Sequence, residues 1–494
     1  MRIVSRLALV LLIALTALCT PARAARKSPA PLSSASRLVK FEIVASGPRG
    51  EPITDLRGSE CQASEDGKHQ PFAFFHYDGE KRKQITPAGP GEFSNREGPA
   101  AHPTIILLDL LSERLLTWGQ AGDELVHALM RMESSRGLYL YVLTNRGALY
   151  PVHPLPRNEA ELRTANPEWT QRIRPLFEVV TRDLAGFRPM DDHDPAWRAQ
   201  LTFQAMGQFA SYVGAIPGQK NLVWITHGVP RVVPGIDPDN PIDLLPQLQL
   251  LGESLARANV ALYTVAQSAS GAGALISDSS MTLELLSNLT GGRSYSSDSV
   301  EKAISEARAD SNGSYYAGYR PQHPSGDAKY HKIHVTCMRK GMRLQTRQGY
   351  WDFPSQIDQE QAAFEAAADS PFDDPRIGLK ATVAPIVEAP GMLRVRIRVD
   401  AGDLLLPNPD NHYELALGVV TFSADGKMQN VSTAPVPLSA GQIEQATTSG
   451  IEVTRDVTID TATERLRIVV SDRGSSASGS LTIPIPASLI PPRH

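Results

Sequence analysis

The stretch that most constrains the fold is PTIILLDLLSE at residues 103–113, an apolar run that ends on a carboxylate. Residues 104–108 have the continuous apolar character of a parallel strand that is covered on both faces. Asp109 follows at the carboxyl end of this strand, where open α/β sheets bind their ligands. The sequence therefore predicts a buried central strand that presents Asp109 to a ligand. The structural alternative is an Asp109 that caps the following helix or accepts hydrogen bonds from exposed backbone N–H groups at the strand end.

The segment 84–311 alternates strands with helices. Apolar runs at 138–143, 222–226 and 260–265 predict further buried strands, and residues with helical spacing lie between them. The element order β-α-β-β-α-β-α-β-α-β-α is typical of a doubly wound, mostly parallel sheet with helices on both faces. We therefore expect an α/β domain over 84–311.

The two flanking segments, 38–83 and 312–353, have the period of two that is typical of strands. The first contains a hairpin turn at 65–68, EDGK, in which Gly67 supplies the positive backbone angles. We expect both segments to form one β-rich accessory domain that the α/β domain interrupts. Cys61 and Cys337 lie in this domain, and the sequence leaves open whether they form a disulfide or remain two buried thiols.

The C-terminal part is predicted to be all-β. Residues 354–374 are acidic and rich in Ala, which is typical of a linker or a helix. About seven strands follow in 375–487, and LRVRIRV at 393–399 alternates apolar and basic side chains. This pattern predicts an immunoglobulin-like β-sandwich over 375–487.

The N-terminus predicts export. Residues 1–24 have Arg2 and Arg6 near the start, an apolar run at 7–18 and small residues at 22–24, as in a signal peptide, and 25–37 reads as a linker. A lipid attached to Cys19 is disfavoured by the bulky Leu18, and the apolar run is shorter than the ~20 residues that span a membrane. We expect a secreted or periplasmic protein with no integral membrane segment after cleavage. The net charge of −4 gives no indication of nucleic-acid binding.

Several segments, in order along more than 300 residues, carry a resemblance to a known family. The segments are EDGK at 65–68, ILLDLLSE at 106–113, PGQKNLVWITHGVP at 217–230, LLSNLTGGRSY at 285–295, YYAGYRP at 315–321 and HKIHVTCMRKGMRLQTRQGYW at 331–351. On these segments the chain resembles the bacterial, acidobacterial-type VWFA-related proteins, whose core is a von Willebrand factor type A-like domain. The resemblance therefore implies a type A-like fold for 84–311.

The resemblance also implies a metal site, although a degenerate one. Type A domains hold Mg²⁺ with an Asp-x-Ser-x-Ser motif after the first strand, through hydroxyl and carboxylate oxygens. Here Asp109 and Ser112 are the candidate metal residues, whereas Leu111 and Glu113 occupy the two Ser positions. His227 stands where a later Asp is usual. Mg²⁺ is thus the cofactor to test, and no other cofactor is expected.

The sequence carries no enzyme signature: GxSxG, HExxH and the P-loop are all missing. His331 and His334 lie three apart on a predicted strand, so they point to opposite faces and do not chelate one ion together. We expect no catalytic residues and a non-enzymatic function, binding an unknown protein or cell-surface ligand. The alternatives are a divergent extracytoplasmic hydrolase, assembled across 154–200 and 229–246, and a structural envelope component.

Overall fold

The computed structural model describes most of the chain from Leu38 onward, and residues 38–494 form one compact unit. The predicted signal peptide at 1–24 and linker at 25–37 lie outside the described residues. The described residues are 38–79, 91–96, 102–111, 118–132, 136–144, 146–164, 168–175, 195–235, 237, 239–267, 273–296, 299–323, 326–353, 359–405, 413–439, 441–442, 446, 450–472, 474–475 and 477–486.

The first described segment consists of short strands joined by tight turns. The turn between the second and third strands has positive φ angles at Asp66 (48°) and Gly67 (79°), which confirms the predicted hairpin. The strands are β1 (Val39–Ser46), β2 (Cys61–Glu65), β3 (Lys68–Gln70), β4 (Phe72–Gly79) and β5 (Glu92–Ser94).

The middle segment alternates strands and helices. Its elements are β6 (Thr104–Asp109), α1 (Trp118–Met130), β7 (Leu138–Leu143), β8 (Leu149–His153), α2 (Glu159–Thr164), α3 (Pro195–Gly214), β9 (Lys220–Thr226), β10 (Val232–Val233), β11 (Ile242–Asp243), α4 (Leu245–Arg257), β12 (Val260–Ala266), α5 (Gly273–Thr290), β13 (Ser294–Tyr295) and α6 (Val300–Asp310).

Six of these strands form one sheet in the order β13-β12-β9-β6-β7-β8, and β10 pairs with β11 apart from it. Each residue of β6 is buried, because its alternate side chains enter two different cores. Ile105 and Leu107 pack with α3 and α4 on one face, and Ile106 and Leu108 pack with α1 and α6 on the other. Helices therefore cover both faces of this sheet at β6.

The segment after α6 returns to pair with the first strands. Its strands are β14 (Gly313–Tyr319), β15 (Tyr330–Cys337), β16 (Arg343–Gln345) and β17 (Gly349–Trp351). They build two four-stranded antiparallel sheets, ordered β16-β1-β14-β4 and β17-β15-β2-β3. Cys61 of β2 lies opposite Cys337 of β15, and the two form a disulfide across 276 residues of sequence.

The C-terminal segment forms a β-sandwich. Its elements are α7 (Gln359–Asp369), β18 (Leu379–Pro385), β19 (Met392–Val399), β20 (Tyr413–Ser423), β21 (Met428–Leu438), β22 (Ile451–Thr458), β23 (Thr463–Asp472) and β24 (Ala477–Pro484). The sheets β22-β19-β18-β5 and β21-β20-β23-β24 enclose one apolar core. In β19 the apolar side chains of 393–399 point inward and the arginines outward, as the alternation predicts.

The predicted fold class, a doubly wound and mostly parallel α/β sheet of the type A-like kind, is wrong for this chain. Of the six sheets in the described residues, five are entirely antiparallel, and parallel pairing is confined to β6, β7, β9, β12 and β13. Even the six-stranded sheet ends in an antiparallel strand, β8. The physical reason is that short turns join successive strands such as β2–β3, β18–β19, β20–β21 and β23–β24, and a short turn permits only antiparallel pairing.

Candidate functional site

Asp109 is the last residue of β6, and only 1% of it is exposed. Its Oδ1 accepts a hydrogen bond from the Leu111 N–H at 2.9 Å. Its Oδ2 accepts one from the hydroxyl of Thr226, at the end of neighbouring β9, at 2.7 Å. Asp109 therefore ties two adjacent strand ends together and holds the first turn after β6.

The ends of β9 and β12 are joined in a similar way. The Thr226 hydroxyl accepts a hydrogen bond from the Gly228 N–H at 2.9 Å, and Gly228 has a φ of +84°, a conformation that favours glycine. His227 Nδ1 lies 2.9 Å from the carbonyl oxygen of Gln267, the residue that follows β12. Because a carbonyl oxygen only accepts, Nδ1 carries the proton and His227 links two strand ends.

The described residues at these strand ends do not by themselves fit Mg²⁺. Residues 109–111, 226–228 and 266–267 include a single carboxylate, that of Asp109, and both of its oxygens already accept hydrogen bonds. An octahedral Mg²⁺ site needs an accessible set of oxygen ligands. Ser112 and Glu113 lie outside the described residues, so the metal site at Asp109 and Ser112 stays a prediction.

A cleft of about 840 Å³ lies beside this edge, next to the end of β12. Its volume is within the range of about 300–1,000 Å³ that is usual for ligand sites. The walls belong to α5, β13, β15 and β16, so the cleft separates the six-stranded sheet from the two sheets of the flanking strands. The lining residues are Ala266, Gln267, Ser280, Glu284, Asn288, 292–296, 333–335 and 344–348.

Four of the lining residues carry a buried polar atom that finds no hydrogen-bond partner in the described part of the chain. The atoms are Nε2 of Gln267, Oε1 of Gln345, Oγ1 of Thr346 and Nε of Arg347. Buried polar atoms are nearly always paired in folded proteins, so each of these needs water or a ligand. Because these atoms lie along one cleft, a ligand with hydrogen-bond donors and acceptors could pair with several of them at once.

Two lining residues, Gln345 and Arg293, belong to a polar network that continues into the protein interior. Gln345 Nε2 donates to the Tyr263 hydroxyl at 3.0 Å, and this hydroxyl donates to Asp310 Oδ2 at 2.6 Å. Arg293 lies 3.5 Å from the same carboxylate. Burial raises the pKa of Asp310, whereas the charge of Arg293 and the Tyr263 hydrogen bond lower it. Because Tyr263 and Asp310 are almost fully buried, the network holds Gln345 in a defined orientation.

Two edge strands from different sheets also line the cleft. β13 ends the six-stranded sheet, and β16 ends the sheet β16-β1-β14-β4. Ser294 and Tyr295 of the first and Leu344 and Gln345 of the second are lining residues. An edge strand presents backbone N–H and C=O groups that pair with an added extended chain. The cleft thus offers backbone pairing as well as side-chain hydrogen bonds.

The cleft residues do not form a site that the sequence predicts. Two of the segments that carry the family resemblance, 285–295 and 331–351, lie more than 30 residues apart and both line the cleft, so the resemblance was a usable signal for these residues. Neither segment contains a motif of ionisable side chains. Their meeting depends on the pairing of β16 with β1, which no local pattern reveals.

Comparison with known proteins identifies no family for this chain. The sequence matches no protein-family model, and no curated protein matches it. Among solved structures, the chain is similar to the pilus adhesin SpaC from Lactobacillus rhamnosus GG, with a TM-score of 0.27 and 10% identity over 85% of this chain. The chain spans 58% of that adhesin chain. A TM-score this low carries no conclusion about fold or function.

Two further observations bear on location. Among the described residues, no helix combines the length and the apolar character needed to cross a membrane. The disulfide between Cys61 and Cys337 fits the oxidising conditions outside the cytoplasm.

Proposed function

We propose that this chain is an exported, non-enzymatic protein that binds an extended segment of a partner protein in the cleft between β13 and β16. The observation that carries the proposal is the coincidence of two edge strands with four unpaired buried polar atoms along one cleft.

The chemistry of the cleft favours a peptide over a small apolar ligand. An extended peptide carries an alternating series of backbone donors and acceptors, which complements both an edge strand and isolated amide or hydroxyl groups. The exposed side chains on the walls include acidic Glu284 and the imidazole of His334. The lining also contains the guanidinium groups of Arg293 and Arg347, so we expect a polar segment that carries both an acidic and a basic residue.

Selection from random peptides tests the proposal. A phage library of random dodecapeptides is selected on the full chain, and recovered peptides are titrated against two variants of α5. In Glu284→Trp the indole obstructs the cleft. In Met281→Trp, the matched control, the new side chain lies one turn earlier at a position that is 68% exposed and does not line the cleft.

We expect peptides that bind the wild type and Met281→Trp equally and that lose at least about tenfold in affinity to Glu284→Trp, which corresponds to about 1.4 kcal/mol. Recovery of no binding peptide, or equal affinity for all three proteins, would overturn the cleft as the site. Bound peptides are also followed by mass spectrometry. Their cleavage during incubation would overturn the non-enzymatic part of the proposal and favour the hydrolase.

A further inference from the structure

A second group of ionisable side chains lies on the other face of β15. His334 is exposed and lines the cleft, whereas His331 is 6% exposed, so the two point to opposite faces as the spacing predicts. His331 lies against Asp66 of the β2–β3 turn and against His323 and Asp327 of the segment after β14. His323 in turn lies near Glu65 at the end of β2 and Asp352 after β17.

Glu65 is a buried carboxylate in which one oxygen accepts hydrogen bonds from two tyrosines and the other faces the imidazole of His323. Its Oε2 accepts hydrogen bonds from the hydroxyls of Tyr319 at 2.6 Å and Tyr350 at 2.9 Å. Its Oε1 lies 3.3 Å from Nε2 of His323. Since Glu65 is only 4% exposed, the tyrosines hold this carboxylate in a single orientation.

His331 has the arrangement that metal-binding histidines usually show. Its Nδ1 lies 2.8 Å from Oδ2 of Asp66, and the Lys332 N–H donates to the other oxygen of the same carboxylate at 2.9 Å. A carboxylate on one ring nitrogen fixes the tautomer and leaves the second nitrogen as the ligand atom. That second nitrogen, Nε2, lies 3.1 Å from Oδ1 of Asp327, so it donates to this carboxylate and must release its proton when an ion binds.

The ligand atoms are spaced as a metal requires. One atom each from Glu65, His323 and His331 lies within 4.8 Å of the others, and so does one atom each from His323, Asp327 and Asp352. In a tetrahedral site with bonds of about 2.0–2.1 Å, neighbouring ligand atoms lie about 3.3 Å apart. The Glu65–His323 and His331–Asp327 distances of 3.3 and 3.1 Å match this edge.

The charges of the group also favour a cation. Four carboxylates, from Glu65, Asp66, Asp327 and Asp352, lie close to two imidazoles. Those of Glu65 and Asp352 are buried, and uncompensated negative charge is costly there. Lys329 approaches Asp327 at 4.0 Å, but its side chain is 76% exposed and screened by water. Imidazole with carboxylate suits Zn²⁺ and similar first-row divalent ions, whereas Mg²⁺ and Ca²⁺ prefer oxygen alone.

We propose that Glu65, His323 and His331 bind one divalent transition-metal ion, with Zn²⁺ as the best fit, and that an oxygen of Asp327 supplies the fourth ligand. The rings of His323 and His331 stack face to face, with centroids 3.9 Å apart and 6° between their planes. One ring therefore turns about its Cβ–Cγ bond on binding, so that both nitrogens point at the ion. The ion clips the segment after β14 onto the β2–β3 turn.

Equilibrium dialysis of the full chain, purified without a polyhistidine tag, against Zn²⁺ at pH 7.5 tests the site, with bound metal measured by plasma mass spectrometry. We expect about one ion per chain and a Kd below about 1 µM. The melting temperature should rise with Zn²⁺ concentration, because the ion binds the folded chain. Mg²⁺ at millimolar concentration should not reproduce this rise.

Three variants locate the ion. His323→Ala removes a ligand and should weaken binding by at least about 100-fold. His334→Ala is the matched control, an exposed histidine on the opposite face of β15, and should bind as the wild type does. Asp109→Ala removes the strand-end carboxylate and should also leave binding unchanged. Where His323→Ala fails to fold by circular dichroism, His323→Gln provides the same test with a bulkier side chain.

The results decide the proposal in either direction. Loss of binding in the His323 variant together with retention in the other two supports it. It is overturned when the wild type binds less than about 0.2 ions per chain under conditions that fill a micromolar site. It is equally overturned when the His323 variant binds like the wild type, or when binding is lost in His334→Ala or Asp109→Ala. None of these outcomes depends on peptide binding in the cleft.

Discussion

Removal of the disulfide between Cys61 and Cys337 should destabilise the chain strongly, because the cross-link closes a loop of 276 residues. In the chain-entropy treatment, closing a loop of this length restricts the unfolded state by about 5.6 kcal/mol at 25 °C. That figure is an upper value, since native disulfides in practice contribute about 2–5 kcal/mol. We expect the double variant Cys61→Ala/Cys337→Ala to lose about 3–5 kcal/mol of unfolding free energy.

The assay is equilibrium unfolding in urea, followed by fluorescence and far-ultraviolet circular dichroism. The disulfide restrains the unfolding step in which β2 separates from β15. If unfolding has more than one step, the loss of unfolding free energy should therefore appear in that step. Adding a reductant should bring the wild type to the stability of the double variant and leave the double variant unchanged. This comparison separates the cross-link from the effect of the two alanines.

A loss below about 1 kcal/mol would refute the loop-closure reasoning, because even compact denatured states do not cancel a restriction of this size. Non-reducing peptide mapping provides the second check. Finding Cys61 and Cys337 as free thiols would refute the pairing itself, although the β2–β15 ladder does not depend on it.

Three further variants test other parts of the structure by urea unfolding. Asp109→Ala removes the acceptor for Thr226 and should cost about 1–3 kcal/mol, whereas a change below 0.5 kcal/mol would contradict its tying role. Burial of Lys220 lowers its pKa from 10.5 to about 7. Between pH 7 and pH 10.5 the unfolded state therefore binds one proton more than the folded state, so the free energy of unfolding rises with pH. Lys220→Met should remove that contribution, up to about 1.4 kcal/mol per pH unit between pH 7 and 9, and an unchanged slope would contradict the shift. Arg467 is buried, donates to the Ala367 carbonyl and lies 3.5 Å from the largely buried carboxylate of Asp373. Arg467→Met would leave that charge uncompensated and should cost about 3–5 kcal/mol, and a loss below about 1 kcal/mol would contradict this role.

Features that depend on a few neighbouring residues could be predicted from the sequence. The run at 104–108 is a strand with both faces buried, because its apolar side chains leave no polar face. The hairpin at 65–68 forms where Gly67 tolerates a positive φ, and β19 alternates between core and solvent. In each case the physical cause lies within about ten residues of the feature.

The fold class could not be predicted in this way. The segment with the clearest sequence patterns, 104–310, forms only one of the chain's larger sheets. The strands and helices of 104–310 have strong patterns, whereas β5 is three residues long in a stretch rich in Gly and Pro. β5 nevertheless pairs with β18, almost 290 residues later, and completes a sheet of the sandwich. The periodicity of a strand does not show which distant strand it pairs with. The patterns of 104–310 therefore suggest a larger share of parallel pairing than the chain contains.

The cluster around His331 could not be predicted for a related reason. The spacing of His331 and His334 correctly predicts that they lie on opposite faces, but no local pattern brings His323 against His331. The positive φ of 58° at Ala328 lies in the segment that joins the two histidines, and such backbone geometry has no sequence pattern outside glycine and asparagine. Asp109 was the most visible carboxylate because it ends a strand, and both of its oxygens accept hydrogen bonds.

The disulfide and the proposed cation site belong to one β-ladder, and this connects their energetics. β2 pairs with β15 from Cys61 opposite Cys337 to Glu65 opposite Ile333, so the disulfide stands at one end of the ladder and Glu65 at the other. A slip of one residue in this pairing would turn Glu65 away from His323, since alternate side chains face opposite sides. The covalent link excludes that slip, and a bound ion would secure the far end. The affinity for Zn²⁺ should therefore fall in Cys61→Ala/Cys337→Ala, and equal affinity would show that the hydrogen bonds of Glu65 to Tyr319 and Tyr350 hold the register without help.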